Sequence, residues 1–107
     1  MAQWENLGHV YLAADGSQSG SISTTSEKIF TSLQLVTQGS DLEMLGVVIS
    51  FEDGDKFSPS INHFFTEGTR SLVVDLPTGN TRKVSGVEIR YSKLADGAWC
   101  NVELFGK

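Results

Sequence analysis

Cysteine is nearly missing from this sequence. Cys100 is the single one among 107 residues, which excludes a disulfide within the chain and any cysteine-rich zinc cluster. Nothing in the cysteine usage therefore indicates an oxidising compartment. An unpaired cysteine behaves as a small apolar side chain, so we expect Cys100 to be a buried thiol.

Basic residues are also scarce, and they are scattered along the chain. Eight Lys and Arg stand against 13 Asp and Glu, which gives a formal net charge of -5, and no basic run is longer than Arg82-Lys83. Nucleic acids and anionic lipid surfaces are bound through clustered Lys and Arg. We therefore expect no nucleic-acid partner.

Long apolar runs are missing as well. No window reaches the length that a membrane-spanning helix needs, and no basic segment followed by an apolar stretch marks a signal peptide. As written, the sequence predicts a cytoplasmic protein without membrane insertion. A start as short as Met1-Ala2-Gln3 is also compatible with a processed or recloned N-terminus, and in that case we expect a periplasmic or secreted protein.

The residues that are plentiful favour β structure. Eleven glycines, many Ser and Thr and only two prolines are typical of short strands joined by tight turns. Turn sequences such as Asp15-Gly16, Pro77-Thr78-Gly79-Asn80 and Asp96-Gly97 break up the chain. We therefore predict an all-β protein. It is one domain over residues 1–107, an antiparallel β-sandwich of jelly-roll or Greek-key type with about seven to eight strands.

Alternation of apolar and polar residues with a period of two locates the strands. It predicts extended segments at 4–12, 31–37, 42–51, 57–65, 70–76, 87–91 and 98–105. Residues 17–26 are nearly all Ser, Thr, Gly and Gln, and they predict a loop with a short edge strand at Ile22. Thr24 and Glu27 have capping-box spacing, so a brief helix is an alternative to the strand that we favour after them. Pro59 moves its segment to a sheet edge.

The segment 42–51 is apolar on both faces. Leu45, Val47, Ile49 and Phe51 share one face, and Leu42, Met44 and Val48 share the other. A strand of this kind is either central in its sheet or covered by a partner on its second face. Met44 and Val48 are therefore interface candidates.

The last strand carries a mixed aromatic and polar strip. Trp99, Asn101 and Phe105 fall on the face opposite Cys100 and Val102. Such strips stack on sugar rings or close a subunit interface. Three interpretations are open: Trp99 packs beneath a loop or a neighbouring strand, the strip mediates self-association, or the strip binds carbohydrate.

Glu52, Asp53 and Asp55 form the densest acidic cluster, around Gly54. Calcium binds several oxygens on a flexible turn, so these three carboxylates are candidate metal ligands. A hairpin turn built on Asp53-Gly54 explains the same residues without a metal. We expect no other cofactor.

Two histidines are the chain's bases of the kind usual in hydrolysis, and neither lies in a nucleophile motif. His63 shares its parity with Phe65, which predicts a partly buried structural histidine, and His9 lies within the first strand. A small hydrolase-like enzyme that uses His63 with Glu67 or Asp75 in a cleft is a further hypothesis. We expect a protein without enzymatic activity.

Several segments spread along the chain together resemble a family pattern. They are Trp4 with Leu7-Gly8, the run VVISFEDG at 47–54, Asp75-Leu76 ahead of Arg82, residues 87–91, and a terminal Leu104-Phe105-Gly106. The pattern is similar to that of a family of small bacterial β-sandwich proteins of unknown function, which are usually exported. This chain departs from it in lacking the export signal. It also has Gly20-Ser21-Ile22 where members tend to place acidic residues. The resemblance implies no catalytic residues.

Together these observations favour a non-enzymatic binding or assembly module. Its expected partner is a protein or a second copy of the chain, bound through the apolar face of residues 42–51 or through the strip at Trp99 and Phe105. A carbohydrate-recognition domain, with or without calcium, is the alternative.

Overall fold

The computed structural model describes residues 4–16, 18–24, 28–59, 61–77, 79–92 and 94–107. Over these residues the chain is all β and without a helix, as predicted, and its strands form two antiparallel sheets. The strands are β1 (Glu5–Ala13), β2 (Ser19–Ser23), β3 (Ser32–Gly39), β4 (Leu42–Phe51), β5 (Lys56–Phe57), β6 (His63–Phe65), β7 (Gly68–Asp75), β8 (Val84–Tyr91) and β9 (Trp99–Gly106). Sheet I has the order β1-β9-β3-β7. Sheet II has the order β2-β8-β4-β5, with β6 also paired to β4.

Both sheets have one apolar side, because alternate residues of a strand point to the same side. The two apolar sides contribute to a single hydrophobic cluster. Its fully buried members include Leu35 of β3, Leu104 of β9, Ile49 of β4 and Ile89 of β8. Burying one such side chain contributes roughly 1.5–3 kcal/mol, so this shared cluster is the main term that holds the two sheets together.

The described residues form nine strands, where the sequence predicts seven or eight. The predicted strand 57–65 is broken into β5 and β6, and both pair with β4 at an edge of sheet II. Pro59 lies between them, and a proline has no N–H for the ladder, which ends the pairing there. The short edge strand predicted at Ile22 is confirmed as β2, which pairs with β8.

The strand predicted after Thr24 is not found at residues 28–31. Ile29 forms only an isolated bridge with Lys83. Glu27, which belongs to the capping-box alternative, lies outside the described residues.

A β-bulge in β4 reverses the facing predicted for the first half of that strand. Met44 and Gly46 pair with consecutive residues of β8, so Leu45 is an extra residue in the ladder. A shift of one residue exchanges the two faces of a strand. Met44 is consequently 0% exposed, and the prediction that it shares an outer apolar face with Val48 is wrong. Val48 is half-buried on the outer side, and Leu45 is exposed.

The two sheets meet along one side, where β1 packs against β2. Gly20 of β2 permits this approach, because a Cβ there would lie 2.7 Å from Leu12 Cδ2. On the opposite side β7 ends sheet I, while β5 and β6 end sheet II. None of the described residues belongs to a helix long and apolar enough to cross a membrane. Among the described residues, exposed side chains lie on the outer faces of both sheets, on β7, and on the edge strands β5 and β6.

Candidate functional site

Strand β9 lies between β1 and β3, so its outward side chains occupy the middle of the outer face of sheet I. Trp99, Asn101 and Phe105 point outward, while Cys100 and Val102 are fully buried. Trp99 is 42% exposed. The mixed strip of the last strand is thus part of an accessible sheet face.

Strand pairing brings more polar and aromatic side chains beside this strip. We call the resulting surface the aromatic face. It consists of Asn6, His9 and Tyr11 of β1, Gln34, Val36 and Gln38 of β3, and Trp99, Asn101, Glu103 and Phe105 of β9. Directly opposed side chains in an antiparallel pair are about 4.5–5.5 Å apart at Cβ. The aromatic face is therefore continuous across three strands.

Tyr11 and Trp99 are neighbouring exposed rings on the aromatic face. Their centroids are 6.0 Å apart, and their planes differ by only 12°. Tyr11 is 59% exposed. Because offset, nearly parallel stacking is a favourable geometry for aromatic rings, the two side chains stabilise each other's position while both stay in contact with solvent.

The position of Trp99 depends on Gly39 of β3. Gly39 has a φ of 128°, a conformation that side-chain-bearing residues rarely adopt. A Cβ on Gly39 would lie 2.5 Å from the Trp99 carbonyl oxygen and 2.9 Å from the ring atom Cε3. The Ser40 N–H donates to the Trp99 carbonyl at 2.8 Å, and the Trp99 N–H donates to Ser40 Oγ at 3.2 Å. The indole therefore packs directly on glycine backbone.

An open pocket of about 330 Å³ lies beside the ring of Trp99. Its other lining residues are Gln38, Gly39, Ser40, Glu67, Gly68 and Thr69. An aromatic ring, an amide, two hydroxyls and a carboxylate thus line one small space. The Glu67 N–H donates to Asp41 Oδ1 at 2.6 Å. This hydrogen bond holds the backbone of Glu67 in place beside the pocket. Apolar surface with a few placed polar groups is typical of small-molecule sites.

The other end of the aromatic face carries an oriented amide and a carboxylate. Asn6 Nδ2 donates to Glu103 Oε2 at 3.0 Å, and Asn6 Oδ1 accepts the Gly8 N–H at 3.0 Å. His9 lies opposite Glu103 in the ladder. Because each polar group of Asn6 is engaged, its side chain has a defined direction.

Comparison with known proteins places the chain in a family. A family model described as Domain of unknown function (DUF2541) matches residues 1–106. The chain belongs to this family. The resemblance to a family of unknown function is confirmed, and bacterial origin and export stay predictions. A search of curated proteins found no match. The description of the DUF2541 family assigns no activity to it.

The acidic turn of this DUF2541 chain is paired with basic side chains. Asp55 Oδ2 lies 2.6 Å from Arg82 Nη1, and Asp53 Oδ2 lies 4.0 Å from the same atom. Asp53 Oδ1 accepts the Asp55 N–H at 2.9 Å, and Glu52 Oε2 lies 4.0 Å from Lys83 Nζ. Within the described ranges there is no group of three or more acidic, histidine or cysteine side chains suited to a metal. The geometry is that of a charge-paired turn between β4 and β5.

The hydrolase hypothesis pairs His63 with Glu67 or Asp75, and these two carboxylates lie at different ends of one strand. His63 is exposed, and the prediction of a partly buried side chain is wrong, because β6 is a three-residue edge strand. Its ring packs edge-on against Phe65, with centroids 4.6 Å apart. Glu67 and Asp75 lie at opposite ends of β7, and Asp75 Oδ1 accepts the Ser32 hydroxyl at 2.9 Å. Glu67 and Asp75 therefore do not act at one site, and an enzyme that uses His63 with one of them stays a hypothesis.

Cys100 is a buried free thiol, as predicted. Burial raises the pKa of this thiol, and a hydrogen bond with the backbone of Gln38 opposes the shift. A thiol kept protonated is a poor nucleophile, so Cys100 serves in packing.

The outer face of sheet II has a second open pocket, of about 280 Å³, around Gly86. It is lined by Ser21, Ser23, Ser50, Ser85, Lys56 and Glu88 together with Ile22, Val48 and Val87. This pocket has hydroxyls and charges but no aromatic ring. The aromatic face of sheet I is therefore the better candidate for recognition.

Sequence reasoning missed the contributions of Tyr11 and Gln38 to the site. Tyr11 lies on the first strand and Gln38 on the third, and each is brought beside Asn101 by pairing with β9. Alternation indicates which way such a side chain points, but it does not indicate which strand lies next to it.

Proposed function

We propose that this protein is a non-enzymatic binding module that recognises carbohydrate on the aromatic face. A sugar presents C–H surfaces that pack on aromatic rings and hydroxyls that need hydrogen-bond partners. The observation that carries the proposal is the nearly parallel, solvent-exposed pair of Tyr11 and Trp99 beside a pocket lined by polar groups. Exposed aromatic side chains of this size favour a ligand because leaving them in water is unfavourable.

The polar side chains around the rings match sugar hydroxyls. Gln38 and Asn101 each offer amide donors and a carbonyl acceptor, and Glu67 offers a carboxylate acceptor. A sugar hydroxyl both donates and accepts, so this mixture of groups satisfies it in several orientations.

The charge of the aromatic face favours a neutral sugar over an acidic one. Among the ten side chains that define the face there is no Lys or Arg, while Glu103 is one of them and Glu67 lines the adjoining pocket. Bringing a carboxylated or sulfated sugar beside these carboxylates would be repulsive. We also expect recognition without calcium, because Asp53 and Asp55 are engaged with Arg82.

The test is a glycan array followed by calorimetric titration of the best neutral glycan. Trp99→Ala should weaken that binding at least about tenfold, the range of a lost aromatic contact in a binding site. Phe64→Ala is the matched control, because Phe64 is also an exposed aromatic residue but lies on β6 of sheet II. A chelator should leave binding unchanged. Absence of neutral-glycan binding, or equal binding by Trp99→Ala and the native protein, would refute the proposal.

We infer in addition that the two sheets pack face to face as a β-sandwich. The inference is supported by their shared hydrophobic cluster and by the connections of sheet I, each of which crosses to sheet II. The principal extents of the structure are 41 × 30 × 23 Å. Small-angle scattering that requires a much longer particle would contradict this arrangement.

A further inference from the structure

Strand β7 is an open sheet edge that lacks most of the usual protection. It pairs with β3 over eight residues, Gly68–Asp75, in an uninterrupted register. Natural sheets guard their edges with short strands, proline, lysine, bulges or a covering element. The other edges show such features: β1 is bulged near Leu7 and packs on β2, β2 has five residues, and β5 and β6 have two and three. The sequence of β7 contains no proline and no lysine, and its two charged residues, Arg70 and Asp75, lie near the ends of the strand and leave the stretch from Ser71 to Val74 uncharged.

Alternate residues of β7 direct their backbone groups away from β3. The Leu76 N–H donates to the Thr31 carbonyl at 2.9 Å, so position 76 is bonded toward β3. Bonded and non-bonded positions alternate along an antiparallel ladder, and the even-numbered residues of β7 therefore bond to β3. The N–H and C=O groups of Ser71, Val73 and Asp75 point to the open side.

We propose that two copies of this chain pair through β7, antiparallel and centred on Val73, to form a dimer with one continuous eight-stranded sheet. In this register Val73 lies opposite Val73 of the second copy, and Ser71 lies opposite Asp75. All three residues have outward-directed backbone groups. Each opposed pair exchanges two hydrogen bonds, so about six form across the two-fold axis.

The side chains of β7 are self-complementary in this register. Val73 is 51% exposed, and its counterpart covers it. The Ser71 hydroxyl lies opposite the acceptor carboxylate of Asp75. Arg70 and Asp75 lie near the two ends of the strand, so antiparallel pairing keeps the two Arg70 side chains apart and likewise the two Asp75 side chains. Parallel pairing would place like charges together.

The dimer would present two aromatic faces to the same side. Paired residues of antiparallel strands point to one side of a sheet, so the two-fold axis is perpendicular to the sheet. A polymeric glycan that reaches both faces would be held at two points, which raises its apparent affinity. The pairing itself does not depend on carbohydrate recognition and is tested without a sugar.

Sedimentation velocity of the full chain from micromolar to millimolar concentration is the first measurement. A single strand pair is a small interface, so we expect dissociation in the range of about 10–1000 μM. Hydrogen exchange of single amides gives the register. The amides of Ser71, Val73 and Asp75 should become protected as concentration rises, while those of Leu72 and Val74, which bond to β3, are protected throughout.

Two pairs of variants test the register. Val73→Pro removes an outward N–H but no hydrogen bond to β3, and proline is tolerated on an edge strand. This variant should weaken the dimer at least about tenfold. Val73→Ala keeps the N–H and should weaken the dimer far less. Ser71→Glu places a carboxylate opposite Asp75 and should weaken the dimer at least about threefold, while Ser71→Lys should not.

A chain that stays monomeric at millimolar concentration would overturn the proposal. So would a dimer that Val73→Pro and Ser71→Glu leave intact, or one that Trp99→Ala abolishes, since the interface would then lie on the aromatic face. If Val73→Pro does not fold, the amide exchange and the Ser71 pair decide the matter. Loss of glycan binding in a chain that still dimerises would refute the proposed function alone.

Discussion

Replacing Gly39 with alanine should destabilise the fold and displace Trp99. The backbone at Gly39 has a φ of 128°, and forcing a side-chain-bearing residue into such a region costs about 1–3 kcal/mol. The added Cβ would also lie 2.5 Å from the Trp99 carbonyl oxygen. That oxygen has little freedom to move, because it accepts the Ser40 N–H at 2.8 Å. Together, strain and overpacking predict a loss of about 2–4 kcal/mol in the free energy of unfolding.

Urea unfolding followed by far-ultraviolet circular dichroism measures this loss, and a thermal scan should show the melting temperature falling by roughly 10–25 °C. Gly46→Ala is the matched control. Gly46 also lies in a strand, but it has no positive φ and no heavy atom within 4 Å of its would-be Cβ. Its substitution should leave stability within about 0.5 kcal/mol of the native value.

The same variant connects stability to the binding site. If the native fold survives, the indole of Trp99 has to move away from residue 39, which should change its fluorescence and reduce glycan binding. A Gly39→Ala protein that is as stable as Gly46→Ala would show that the contact between Gly39 and Trp99 is not as close as the structure has it.

Two further predictions concern Arg82 and Cys100. Arg82→Met should cost about 0.5–1.5 kcal/mol, since the guanidinium lies 2.6 Å from Asp55 and stacks 4.0 Å from the Phe51 ring centroid. Urea titration at low and high salt checks this, and a loss that salt does not reduce would contradict the ion-pair contribution. Burial raises the pKa of Cys100 in the folded state above its value in the unfolded chain. The buried neutral thiol therefore contributes its full stabilisation at pH values below the unfolded-state pKa. This contribution is lost as the pH rises through the folded-state pKa. As the pH is raised above about 9, the Cys100→Ala variant should therefore lose less unfolding free energy than the native chain. Rapid labelling of the native protein by a thiol reagent at pH 8 would contradict the burial of Cys100.

The alternation of apolar and polar residues correctly predicts which side chains of a strand are buried where one side of the strand faces the core and the other faces solvent. In β3, β7 and β9 the side chains predicted to lie inside, such as Leu35, Val74 and Val102, are buried. In β4 it fails, because Leu45 enters as an extra residue and places Met44 on the inner side. A bulge depends on how a strand aligns with its partner, and that alignment is not contained in the strand's own pattern.

The candidate site divides in the same way. The outward direction of Trp99, Asn101 and Phe105 follows from the alternation of one strand. The identity of the side chains beside them does not follow from this alternation. Tyr11, for example, is separated from Trp99 by most of the chain and lies next to it only because β1 pairs with β9. Even an accurate list of outward residues therefore leaves the composition of the face open.

By itself the sequence determines the β class, the exclusion of a disulfide within the chain and of cysteine-rich metal clusters, the net negative charge, and the facing of most strands. These properties depend on composition or on neighbouring residues. Tertiary structure alone decides that β9 lies between β1 and β3, that Gly39 supports the indole of Trp99, and that β7 is left at an edge. The physical reason is that the order of strands is selected by the packing of two whole sheets around one core. The free energy of that packing depends on residues far apart in the chain, so no short segment of the sequence reveals it.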